Sequence, residues 1–127
     1  MPSLKYSRFQ KKVAVFDSSW EFKVFLALKE QQVNFLYNFQ VALLPNGRHH
    51  IIDFVFPDFD GVALEVRGVL NDRFLEQVEG LKQLGYRVIV VCKQRDIIEV
   101  ITDLANAVIP IEDLSPLRET IERLSEP

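Results

Sequence analysis

Cysteine is nearly missing from this sequence. The one cysteine, Cys92, excludes a disulfide framework within the chain and any multi-cysteine zinc site. Because Cys92 lies in the apolar run VIVVC, a buried structural thiol is expected. Long apolar runs are missing too. None approaches the ~18 to 20 residues of a membrane span, and the opening MPSLKYSRFQKK lacks the apolar centre of a secretory leader. The expectation is a cytoplasmic protein with no membrane partner. A positive net charge is also lacking: at −3 the chain does not carry the field of a nonspecific nucleic-acid binder. The cations near the start are nevertheless clustered. Lys5, Arg8, Lys11 and Lys12 all precede the first acid, Asp17, so segment 1–17 is basic, either a solvated tail or an arm that contacts phosphates.

What is present suits one core. A chain of 127 residues with 48% hydrophobic content is long enough for one compact domain and short for two, so a single domain over 1–127 is expected, with no repeat, low-complexity tract or linker. The stretch SSWEFKVFLALKEQQ spaces Trp20, Val24, Ala27 and Leu28 as a helix does, which predicts a helix over 19–32. NFLYNFQVALL then alternates as a strand, PNGR makes a turn, and HHIIDFVFP and GVALEVR follow as two further strands around PDFDG, together an antiparallel meander. NDRFLEQVEGLKQL returns to helical spacing, opened by Asn71 or Asp72 and closed by Gly85. The continuous apolar run YRVIVVC suits a covered parallel strand. A helix over 95–106, a short extended VIPIEDL and a last helix from Ser115 with Pro116 in its first turn complete the chain. The fold class expected is α/β, a mixed sheet in two or three layers with the order α-β-β-β-α-β and additional C-terminal helices.

Charges interrupt two of these strands. Alternation puts Ile51, Asp53 and Val55 on one face of the second strand and Ile52, Phe54 and Phe56 on the other. In the third strand Ala63, Glu65 and Arg67 share a face, opposite Val62, Leu64 and Val66. Counting inward from PDFDG sets Asp53 opposite Glu65, unless a bulge shifts the pairing. Two carboxylates held together in a partly dry place repel unless one is protonated or a cation lies between them. A hard divalent ion such as Mg²⁺ would resolve the conflict; so would an ion-pair set with Arg67, Arg48 or Lys82.

The pattern of Asp53 followed by Glu65-Val66-Arg67 in paired strands, preceded by a helix bearing Glu21 and followed by a helix and a strand, resembles the PD-(D/E)xK nuclease superfamily. The likeness covers about residues 18 to 93, and the spacing is most similar to small phage junction-resolving enzymes of the endonuclease I type, next to the nuclease subunit of certain cut-and-paste transposons. The resemblance implies a restriction-endonuclease-like core and a Mg²⁺- or Mn²⁺-dependent DNA endonuclease, Holliday-junction resolvase-like and homodimeric, acting on branched DNA. It further implies metal ligation by Asp53, Glu65, the Val66 carbonyl and Glu21. Arg67 stands where the motif normally has lysine, and would contribute charge at the phosphate but not a base. Glu21 has a second explanation, since SSWE fits a capping box with Ser18.

Related nucleases often carry a polar residue on the helix after the motif, which makes Gln77 a further catalytic candidate. Arg73, four residues before it, Arg48 and His49 are candidates for nucleic-acid contact beside Lys5, Arg8, Lys11 and Lys12. Ordinary helix-surface and strand-edge roles are the alternatives, and adjacent His49 and His50 point to opposite faces of a strand. Two other functions fit the same residues: a nuclease-fold DNA-binding or assembly module without cleavage, and a nuclease subunit of a transposase-like complex.

Overall fold

The computed structural model describes residues 19–126. The expectations for Lys5, Arg8, Lys11 and Lys12, and for Ser18 as a cap, lie outside the described residues. In chain order the elements are α1 (Ser19–Glu30), β1 (Leu36–Tyr37), β2 (Val41–Leu43), β3 (His49–Ile51), β4 (Phe54–Val55), β5 (Val62–Val66), α2 (Asp72–Gln83), β6 (Arg87–Cys92), a 3-10 turn (Gln94–Asp96), α3 (Glu99–Leu104), β7 (Ala107–Pro110) and α4 (Leu117–Ser125). Five strands form one mixed sheet in the order β1-β4-β5-β6-β7, and β2 and β3 form a separate hairpin. The β1, β4 and β5 strands are antiparallel; β5, β6 and β7 run parallel. The fold is α/β.

Strand alternation builds two cores. On one face Leu64, Val66, Ile89 and Val91 pack against Val24 and Leu28 of α1 and Leu117 and Ile121 of α4. On the other, Ala63, Val88, Val90 and Cys92 pack against Phe74, Val78 and Leu81 of α2 and Ile101 of α3. Helices therefore cover both faces, which is why β6 can be apolar from Val88 to Cys92 and why the Cys92 thiol is fully buried. The Asn71 cap and Gly85 stop are found as the sequence suggests: Asn71 Oδ1 accepts from the Phe74 N–H at 2.9 Å, and Gly85 takes φ 101°. Among the described residues no helix is long and apolar enough to cross a membrane.

Several expected elements are shorter or divided. Gln32 adopts φ 61°, ending α1 before the expected 32. The helix expected over 95–106 is interrupted because Ile97 and Ile98 are extended, a conformation that adjacent β-branched residues favour. Ser115 does not begin α4; its N–H and hydroxyl donate to Asp113 Oδ1 at 3.1 and 2.7 Å, and the helix opens after Pro116.

The largest departure is in the first two strands of the meander. Between the pairs Tyr37↔Phe54 and Val41↔Ile51 the first strand runs one residue longer than the second, with Asn38 at φ 52°. The extra residue is a bulge, bracketed by hydrogen bonds from Asn38 N–H to the Asp53 carbonyl and from Ile52 N–H to the Gln40 carbonyl. It bends the β2–β3 hairpin toward α2. Ala42, Leu44 and Ile52 join the α2-side core, so Ile52 does not share a face with Phe54 and Phe56 as strict alternation requires. At the hairpin tip Leu44 rests on Gly80, where an added Cβ would lie 3.2 Å from Leu44 Cδ2. Val41, Leu43 and Ile51 stay exposed on the outer side.

Candidate active site

Antiparallel pairing of β4 with β5 decides where the charges meet. The pairs Phe54↔Leu64 and Val55↔Ala63 continue to Asp53 opposite Glu65, as counting from the PDFDG turn requires. Each carboxylate accepts a backbone hydrogen from the other strand: Asp53 N–H donates to Glu65 Oε2 at 3.0 Å, and Val66 N–H to Asp53 Oδ2 at 2.8 Å. Arg67, two residues beyond Glu65 and on the same face, reaches all three groups of this corner. Its Nη1 donates to Asp53 Oδ2 at 2.9 Å and to the Val66 carbonyl at 2.7 Å, and Nη2 donates to Glu65 Oε1 at 3.0 Å. The guanidinium also lies 4.8 Å from the centroid of the Phe74 ring, which fixes it against α2.

Electrostatic demand exceeds what one arginine supplies. Asp53 is 6% exposed and Glu65 is fully buried. Burial, and then the Glu65 charge, push the Asp53 carboxyl up to about 7, against the opposing pull of Arg67 and the Val66 N–H. Glu21 adds to the rise, so α1 brings a third buried carboxylate within electrostatic range. The Tyr37 hydroxyl donates to Glu21 Oε1, tying α1 to β1 at this point.

The donor set fits a hard divalent cation. It consists of carboxylate oxygens and one carbonyl, the ligands such ions prefer, and among the described residues Asp53 Oδ1 accepts no hydrogen bond although Asp53 is buried. Asp53, Glu65 and the Val66 carbonyl would hold the ion. Among the described residues no group of three or more His, Cys, Asp or Glu is gathered as a cage. Arg67 binds the same three groups, so a cation and the present Arg67 conformation compete for them.

Of the three cations that the sequence offers as ion-pair partners, only Arg67 is engaged. The Lys82 ammonium donates to the Leu104 carbonyl, and Arg48 is exposed at the hairpin turn. His49 is exposed beside it. Gln77 and Arg73 sit on α2 and make no hydrogen bond or ion pair among the described residues. The residue that sequence reasoning missed is His50, whose Nε2 is 2.8 Å from Glu65 Oε1. Alternation set it on the opposite face from Asp53; the bend between Ile52 and Phe54 brings both to Glu65. No family model matches this chain, and no curated protein matches it.

Proposed function

We propose that the chain is a Mg²⁺- or Mn²⁺-dependent DNA endonuclease with a restriction-endonuclease-like core, selective for branched DNA. The observation that carries the proposal is the convergence of Asp53, Glu65 and the Val66 carbonyl at one corner, with more buried negative charge than Arg67 balances. The order of α1, the antiparallel β1, β4 and β5, α2 and the parallel β6 supports it, being the order that the resemblance implies.

When bound, a divalent cation supplies charge that polarises a phosphodiester and acidifies an attacking water. The chain's own residues do the rest. Asp53 and Glu65 present carboxylates held by backbone N–H groups, so the ligands keep one orientation. Arg67 has a planar fork suited to two phosphate oxygens, and turning from the carboxylates to the phosphate would put its charge where negative charge grows. It remains protonated throughout and accepts no proton. Resolution of a junction requires two cuts, so the proposal includes a homodimer.

Cleavage with Mg²⁺ present and chelator absent is expected from the wild type, and loss of it in both Asp53→Asn and Glu65→Gln. Metal-dependent cutting that survives both substitutions removes the proposal. A second reading, a nuclease-fold module that binds DNA or assembles without cutting, is favoured by one observation: Arg67 already donates to each of the three groups that a cation would use. Under that reading the wild type binds DNA without turnover, and Arg67→Lys awakens cleavage.

A further inference from the structure

Glu65 is the most enclosed polar side chain of the site, and the donors around it are unequal. Oε2 takes the Asp53 N–H; Oε1 takes both Arg67 Nη2 and His50 Nε2. The first is a backbone amide, fixed by the pairing of β4 with β5. Arg67 is the more exposed donor: its side chain is 25% exposed against 8% for His50, and the proposed function turns it toward a phosphate. Once it turns, His50 is the remaining side-chain donor to Oε1 among the described residues.

We propose that His50 is a positioning residue of this site: from the β2–β3 hairpin it holds the Glu65 carboxylate in the orientation that binds the cation. The inference rests on the nuclease reading above. A glutamate carboxylate held by one oxygen rotates about its terminal torsion. Held at both oxygens, by a backbone N–H and a ring N–H, it does not. The tautomer required carries its hydrogen on Nε2, because a carboxylate oxygen accepts.

His50 is suited to this task because the hairpin that carries it is anchored. His50 pairs with Ala42, itself buried in the α2-side core, and is only 8% exposed. Leu44 and Ile52, on either side, pack into the same core, and Leu44 presses on Gly80 of α2. A hairpin continuing flat from the sheet would not reach Glu65 from above; the bulge at Asn38 to Gln40 redirects it. His50 thus makes the site depend on a part of the chain outside the five-stranded sheet.

The test is Mn²⁺ binding by DNA-free protein, read from the paramagnetic resonance signal of free Mn²⁺, alongside thermal unfolding in the same buffer. Wild type is expected to bind Mn²⁺ and Asp53→Asn to lose it. His50→Ala is expected to weaken binding by about 10- to 100-fold, the usual range for a partner that orients a ligand. His50→Gln, whose amide nitrogen reaches about as far as Nε2, is expected to recover most of that loss. Undiminished binding in His50→Ala overturns the role. So does equal weakening in Ala and Gln variants that both melt early, the mark of packing alone. If His50→Ala fails to fold, His50→Gln against the shorter His50→Asn makes the same comparison, with equal affinities overturning the role. Absence of Mn²⁺ binding in the wild type removes the nuclease reading and this role with it, an outcome visible before any His50 variant is measured.

Discussion

Between about pH 4 and pH 7 the folded chain keeps on Asp53 a proton that an unfolded chain would have released. Its carboxyl lies at about 7 in the fold against an ordinary 3.8, chiefly through burial and then Glu65. Between those values the folded state binds more protons than the unfolded one, so this residue's contribution to stability is present at low pH and is lost as pH rises through 7. In chelator-treated protein, the stability of Asp53→Asn relative to wild type is therefore expected to increase from about pH 4 to pH 7, measured by urea unfolding. An unchanging difference across that window would show that Asp53 is not strained. Removal of Arg67 should act in the opposite direction. Arg67→Ala leaves two buried carboxylates without their counter-ion and is expected to cost about 3 kcal/mol at pH 8, the low end for breaking a buried pair because Arg67 is partly exposed. Loss of less than about 1 kcal/mol would mean that the carboxylates are not held by it. The meeting of Asp53, Glu65 and Arg67 was legible in the sequence because strand side chains alternate and a short turn sets the pairing. His50 was not, since one inserted residue on the neighbouring strand is enough to redirect a side chain and no residue type announces it.

At the scale of elements, the bent hairpin and the covered strand β6 make separate expectations. The hairpin depends on the absence of a side chain at Gly80, beneath Leu44. Gly80→Val is expected to overpack this contact, lowering stability by about 1 to 3 kcal/mol, and to weaken Mn²⁺ binding by displacing His50. A Gly80→Val protein with full affinity would separate the hairpin from the site. In β6, Cys92 is fully buried, and burial followed by repulsion from Asp96 and Glu112 pushes its thiol up to about 11. Native protein at pH 8 is expected to resist iodoacetamide at Cys92 and to react once unfolded; rapid native labelling would contradict the packing of that strand. The long helices, the turn at Asn46 and the parallel β6 could be read from period, caps and apolar runs. The division of the meander could not, because Phe35 to Leu43 alternate evenly while the bulge arises from how two strands pair. Nor could the break at Ile97 and Ile98, where apolar spacing suits a helix but β-branched side chains favour an extended chain.

For the whole molecule, one sheet covered by helices on both faces leaves the carboxylate corner at the junction of α1, the root of the hairpin and α2. That placement gathers charges from three separate stretches of the chain, Glu21, Asp53 and the pair Glu65 and Arg67, and it explains a buried acidic site in a domain of mild net charge. Paired cuts across a junction require two such corners, so sedimentation is expected to show a dimer, and a strictly monomeric species even with junction DNA bound would count against branched-DNA resolution. The most direct measurement is cleavage of labelled four-way junction, flap, single-stranded and linear duplex DNA with Mg²⁺ or with chelator, by wild type and Asp53→Asn side by side. Junction cutting that requires Mg²⁺ and disappears in Asp53→Asn is the expected result. No cutting of any substrate by wild type with Mg²⁺, while DNA is still bound, would contradict an endonuclease and leave the binding module.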